Sequence, residues 1–170
     1  MVVLGVDPGY AIVGWGVIDF NGNSYRPLAF GAITTEAHTD FNERLQKIYD
    51  DMITILKKAK PDALAIEKLF FTTNVTTAIL VAQARGVILL AAQQCSVKVF
   101  EYTPLQVKVA VTGYGKAKKP QVMEMTRRLL HLKDVPKPDD TADALAIAIT
   151  HTHAAGSKVR LNMLNRGTKL

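Results

Sequence analysis

Cysteine is almost missing from this 170-residue chain. Cys95 stands alone, so no internal disulfide can form, and the expected setting is a reducing cytoplasm. Its expected role is that of a small buried hydrophobe in the stretch Ala91–Val97. No clean long hydrophobic run is present either. The longest, Ala78–Ala92, is interrupted by Gln83 and Arg85, which argues against a membrane span and for a soluble protein. Met1–Val6 is too short for a signal peptide before it meets Asp7. Internal repeats, low-complexity segments and Cys/His clusters are absent, and His38, His131, His151 and His153 form no ligand set. His151 and His153 are expected on the surface, beyond the core turns of a last helix. Acidic residues are the scarcer charge, 15 against 21 Lys and Arg, for a net charge of +6 and a pI near 9.5. The imbalance is local. Residues 1–60 hold 6 basic and 7 acidic side chains, whereas residues 61–170 hold 15 and 8. Clustered base favours a polyanionic partner, with a generic basic surface as the plainer alternative.

What is present is an ordinary globular composition, 48% apolar and 21% charged, at a length that suits one domain. Val2–Val6 is a continuous apolar run, the pattern of a strand covered on both faces. Ala11–Phe20 and Ser24–Thr34 read as strands joined at Asn21-Gly22. A helix over about Thr39–Lys60 follows, with Phe41, Leu45, Ile48, Met52 and Ile55 on one stripe. Ala63–Glu67 is a short strand which, after a helical crossover, lies parallel to the first. Then come a helix over Val75–Gln93, a strand over Val97–Tyr102, and a short helix with Thr103 as N-cap and Pro104 at its first position. A basic loop, Gly113–Lys119, precedes helices over Gln121–Leu130 and Asp140–His153. This order implies an α/β domain over residues 1–154, a mixed five-stranded sheet with helices on both faces, the ribonuclease H-like pattern. Residues 155–170, with four basic side chains and no acid, read as a mobile tail.

Four carboxylates carry the chemical reading. Asp7 ends the first apolar strand, Glu67 ends the fourth, and Asp140 and Asp143 are spaced i, i+3 at a helix start. Acids that end buried strands are costly unless something positive lies between them. Parallel neighbours bring Asp7 and Glu67 to the same end of the sheet. Hard oxygen donors suit Mg²⁺ or Mn²⁺ rather than zinc. Two such ions about 3.5–4 Å apart can activate a water and stabilise the leaving oxygen of a phosphodiester. Taken singly, each acid has an ordinary alternative. Asp7 can be a turn residue before Pro8-Gly9, Asp140 a plain N-cap, and Asp143 a solvated first-turn acid. Glu67, directly after Ala-Leu-Ala-Ile, has no such local role.

Several motifs occur together in order: Gly5-Val6-Asp7-Pro8-Gly9, Ala65-Ile66-Glu67, Gln83-Ala84-Arg85-Gly86 and Asp140-Thr141-Ala142-Asp143-Ala144-Leu145-Ala146. From Val2 to about His153 they resemble the RuvC family of bacterial Holliday-junction resolvases. The resemblance implies an endonuclease that resolves four-way DNA junctions by paired symmetric nicks in recombination and repair, leaving 5′-phosphate and 3′-hydroxyl ends. It assigns the metal-binding carboxylates to Asp7, Glu67, Asp140 and Asp143, with two Mg²⁺ per site and Mn²⁺ as a substitute. Asp7 would bridge the ions. The junction-contacting aromatic falls on Phe70, with Phe71 as a helper; the alternative is that both pack under their loop. Backbone-contacting lysines match Lys108 and Lys119. The neighbouring Lys116 and Lys118 extend that basic cluster, which could equally be a solvated charge run. The resemblance further implies a homodimer with the helix around Val81–Leu89 at or near its interface, and the branch-migration proteins RuvA and RuvB as partners. Two departures stand out. Asp139 adjoins Asp140, leaving open which of them binds metal, and Leu80 replaces a usual glycine. Related readings are a ribonuclease H-like enzyme acting on RNA and a catalytically idle junction-binding module. An actin-like ATPase would need a second domain for which 170 residues leave no room.

Overall fold

The computed structural model describes the backbone of residues 1–69 and 75–167, and the side chains of residues 1–69 and 77–156. Phe70 and Phe71 lie outside the described residues. The elements are β1 (Val2–Asp7), β2 (Ile12–Phe20), β3 (Tyr25–Thr34), α1 (Phe41–Ala59), β4 (Ala63–Glu67), α2 (Val75–Gln94), β5 (Val99–Tyr102), α3 (Pro104–Thr112), α4 (Lys119–Leu129) and α5 (Asp139–Gly167). The strands form one sheet in the order β3-β2-β1-β4-β5. β1, β2 and β3 pair antiparallel, and β4 and β5 join in parallel, giving the mixed five-stranded sheet that the sequence implies.

β1 is central, which is why its residues are apolar without alternation. Leu4 and Val6 turn to one face with Leu64 and Ile66, where Ile48, Met52 and Leu56 of α1 and Ala84 and Ile88 of α2 complete a core. Val3 and Ala65 turn to the other, beneath Val107, Val122, Leu145 and Ile149 of α3, α4 and α5. Each fully buried Leu or Ile contributes about 1.5–3 kcal/mol, against about 0–1 kcal/mol for an exposed ion pair. Packing therefore sets where the helices lie. Cys95 is only partly buried at the edge of the α1/α2 core.

Helix ends follow local chemistry. Asp40 caps α1, its side chain accepting from Asn42 N at 2.8 Å, so α1 starts at Phe41, the first residue of its apolar stripe and two residues after the expected Thr39. Thr103 and Gln106 form a reciprocal capping box on α3. α4 begins at Lys119 rather than Gln121, because Pro120 suits a first helical turn and the Gln121 side chain accepts from Lys118 N at 2.7 Å. Lys119 is thus a helical residue with a fixed backbone, not part of a loop.

Two expectations for the last helix change. It runs on to Gly167, through the stretch read as a tail, since Ala154–Arg166 contains no proline to stop it. His151 is not at the surface. The spacing Ala144, Ala148, His151 keeps it on the face toward the sheet, where it is 4% exposed and its Nδ1 lies 2.7 Å from the Tyr102 hydroxyl. Its ring packs 4.5 Å from that of Phe100. His153 is exposed, as expected, with Nε2 2.6 Å from the Tyr25 hydroxyl.

α5 lies unusually near the sheet because three strand positions have no side chain. A Cβ at Gly5 would collide with the Ala144 carbonyl and come 2.8 Å from the Ala148 nitrogen. One at Gly16 would meet Leu145 Cγ at 2.7 Å, and one at Gly14 would strike the Asp140 carbonyl and stand 2.9 Å from Asp140 Cβ. Thr141 pins the same helix end, its hydroxyl donating to the Gly31 carbonyl of β3 at 3.0 Å. Replacing Gly14 with Ala should destabilise the protein by about 1–3 kcal/mol, because helix backbone rather than a flexible side chain must move. Urea unfolding of Gly14→Ala beside wild type measures this; equal midpoints would show that α5 does not depend on the gap.

Candidate active site

Strand parity assembles the first two acids. On β1, Leu4 and Val6 face the α1/α2 core, so Asp7 faces α5 with Val3 and Gly5. On β4, Leu64 and Ile66 leave Ala65 and Glu67 on that same α5 face. The parallel register pairs Val6 with Ile66, which puts Asp7 beside Glu67, and the two side chains share a hydrogen bond.

α5 brings the second pair. Asp7 is paired across the sheet with Gly14, and Gly14 is the position against which Asp140 rests. Asp143 follows one turn later on the same helix face. Asp140 stands in the first turn, where the helix dipole favours negative charge, and Asp143 opens the second. The fourfold set named from the sequence therefore converges at the carboxyl ends of β1 and β4.

The electrostatics register that convergence. Burial first, and then the charges of Glu67, Asp143 and Asp140, push the Asp7 carboxyl up from its ordinary range to about 8. Glu67 is raised by burial and by Asp143, and Asp143 is raised by burial. The opposing cation is Lys119, whose Nζ is 2.9 Å from Asp143 Oδ2 and lowers all three. Among the described residues, no three acidic, histidine or cysteine side chains are closed around a single point. Asp143 is engaged by Lys119, and Asp7 and Glu67 by one another.

Asp139 lies at the rim of this group. It is 44% exposed, pairs with Lys137 Nζ at 2.9 Å and acts on Asp143, but unlike Asp140 it is not among the charges that raise Asp7. Of the two adjacent acids, Asp140 is the one directed at the cluster.

The cleft in front of the acids is lined by Glu67, Asp143, Lys108, Lys119, Val107 and Ile147, among others. Two of the four expected DNA-contacting lysines, Lys108 and Lys119, thus share a cavity with Glu67 and Asp143. Lys116 and Lys118 are exposed nearby, on the connection into α4 and at its N-cap. Phe70 and Phe71 lie outside the described residues.

Sequence reasoning assigned no role to Arg85. Its side chain, 13% exposed, forms an ion pair with Glu101 of β5 and donates from Nε to the Glu67 carbonyl at 3.4 Å. An arginine inside the apolar helix α2 was the available signal. Gly14 and Gly16, alternate residues of β2, were missed too; their spacing marks one bare face opposite the alanine-rich start of α5.

A carboxyl held protonated by its fold takes up a proton that the unfolded chain releases. With Asp7 raised from near 4 to about 8, the metal-free protein should lose stability as pH rises across that interval and level off above it. Asp7→Asn removes the ionisation. In EDTA its melting temperature should exceed that of wild type at pH 8 by several degrees and match it more nearly at pH 5. Scanning calorimetry at both pH values checks this; a wild-type protein that gains stability toward pH 8 relative to the variant would contradict the assignment.

The model for the crossover junction endodeoxyribonuclease RuvC family matches residues 3–151. The chain is 58% identical over 151 residues to the RuvC crossover junction endodeoxyribonuclease of Brevibacillus brevis, covering 89% of this chain and 91% of that one. With the protein of the same description from Halothermothrix orenii it shares 56% over 162 residues, 95% of this chain and 96% of the relative. The solved structure of T. thermophilus RuvC in complex with a Holliday junction substrate superposes with a TM-score of 0.89 at 38% identity, over 93% of this chain and 96% of that one. The mixed sheet is thus the ribonuclease H-like fold of RuvC. By the match along its length and by its architecture, this chain belongs to the RuvC family of crossover junction endodeoxyribonucleases.

Proposed function

We propose that this chain resolves Holliday junctions in DNA recombination and repair by hydrolysing phosphodiesters at the Asp7–Glu67–Asp140–Asp143 cluster. The observation that carries the reading is Asp7, whose ionisation is opposed by burial and by three neighbouring carboxylates. Such a site gains its charged form when cations enter it. The donors are all carboxylate oxygens, a set that fits Mg²⁺, with Mn²⁺ able to replace it. Asp7, Glu67 and Asp143 would hold the ions, with Asp140 serving as a further ligand or as proton acceptor. Bound there, such ions would supply an activated water and neutralise charge on the leaving oxygen, a hydrolysis that would give 5′-phosphate and 3′-hydroxyl ends.

The remaining residues act on the substrate. Lys108 and Lys119, on the cleft wall, would grip phosphates on either side of the scissile bond, and Lys116 and Lys118 would extend that track. These contacts set position and salt dependence rather than sequence choice. Phe70 and Phe71, three and four residues after Glu67, would stack on bases unpaired at the branch point.

Two matched nicks in a junction of approximate two-fold symmetry call for two sites related by a two-fold axis, hence a homodimer. α2 supports this. Ala84, Ile88, Ala91 and Ala92 face the core, yet Ile79 and Leu90 remain about half exposed on the outside. The stretch Thr77–Gln94 is long and apolar enough to cross a membrane by composition alone, but its inner side packs on α1 and Arg85 is paired with Glu101. A second copy of the chain is the cover we assign to its outer side. The working assembly would be cytoplasmic and would receive junctions from RuvA and RuvB.

Asp7→Asn should leave junction binding within about twofold of wild type while reducing cleavage by at least about a thousandfold. Nick mapping on a mobile four-way junction with Mg²⁺ measures the second quantity and gel shift in EDTA the first. Near-wild-type cutting by the variant would refute the reading. Leu90→Glu, at an exposed position, should cost the fold little but shift the protein from dimer to monomer in sedimentation equilibrium. An unchanged dimer would move the interface elsewhere.

A further inference from the structure

We propose that Asp139 is an alternative seat for Lys119. The ammonium rests on Asp143 when the carboxylate cluster holds no divalent cation, and moves onto Asp139 when one binds. This inference rests on the metal reading above, and it concerns how the chain makes room for the ion.

Lys119 Nζ stands between two carboxylates, 2.9 Å from Asp143 Oδ2 and 3.9 Å from Asp139 Oδ2. The longer separation is about 1 Å beyond a contact ion pair, within reach of a rotation about the flexible lysine stem. The backbone beneath it does not need to move, because Lys119 opens α4 beside Pro120. Asp139 is arranged for the exchange. Its Oδ1 is taken by Lys137 at 2.9 Å, which orients the carboxylate, and its Oδ2 is the atom turned toward Lys119. The Asp139 side chain is 44% exposed and acts on Asp143 but is not among the charges that raise Asp7, so it lies at the edge of the cluster rather than at its centre.

An ammonium and a divalent cation held on the same Asp143 oxygen repel each other across a few ångströms. An acceptor that takes the ammonium when the ion arrives relieves that repulsion. Water would serve, but a carboxylate already aimed at it lowers the cost of the exchange. The transfer also leaves Lys119 in the cleft beside Lys108, charged and released from Asp143. Asp139 acts through Lys119 and is a positioning residue.

The test reads Mn²⁺ binding to the full-length protein without DNA, from the electron paramagnetic resonance signal of free Mn²⁺. Removing the competing ammonium with Lys119→Met should tighten binding about fivefold. Asp139→Asn should weaken it about threefold in the wild-type background and change nothing in the Lys119→Met background. If Asp139→Asn weakens binding equally in both backgrounds, Asp139 is a ligand or a distant charge, and the proposal is overturned. If Lys119→Met binds no tighter than wild type, there is no competition and it is likewise overturned. Asp7→Asn is the control for the underlying reading. Should it bind Mn²⁺ as tightly as wild type, the ion lies elsewhere and both readings fail, an outcome distinct from the first two.

Discussion

The close seating of α5 on β1 and β2 is the constraint on which the rest of the molecule depends. Without the bare positions at Gly5, Gly14 and Gly16 the helix would ride higher, and Asp140 and Asp143 would lift away from Asp7. A glycine inside a strand costs roughly 0.5–1 kcal/mol relative to alanine. Three on adjacent strands are tolerated because the helix that covers them buries Ala144, Leu145, Ala148 and Ile149 completely. Strand preference is given up where it weakens one element, and recovered as packing between two.

The same seating accounts for the electrostatic tension of the site. Bringing four carboxylates to one sheet end puts them partly out of water and near each other, and both effects oppose ionisation. Among the described residues the counterweight is Lys119, with Asp143 as its direct partner. One ammonium does not balance the acids, and the proton held by Asp7 answers only part of the remaining demand for positive charge. Folding energy from both cores holds the acids in place despite that demand.

Much of this was legible in the sequence, and the unread part has physical reasons. Apolar runs and turn residues gave the five strands in their order, and strand ends gave Asp7 and Glu67. The i, i+3 spacing gave Asp140 and Asp143. Parity along β1 and β4 then settled that both strand-end acids face α5, which spacing alone does not reveal. His151 was misjudged because a histidine near a helix end looks solvated, whereas its burial depends on a partner, Tyr102, forty-nine residues away. Lys119 looked like loop because glycine and lysine surround it; the proline after it was the better guide. Arg85 and Asp139 gain meaning only from neighbours distant in the chain or split between two lysines.

Arg85 ties α2 to the edge of the sheet that carries the acids. Its guanidinium holds the carbonyl of Glu67 and the carboxylate of Glu101, so α2 cannot turn about its axis without pulling on the ends of both β4 and β5. On the outward side of that helix stand Ile79 and Leu90. A push delivered there has only one helix diameter, about 10 Å, to travel before it reaches the residue that terminates β4. The outer face of α2 and the strand end that carries Glu67 are thus joined through a single side chain, Arg85.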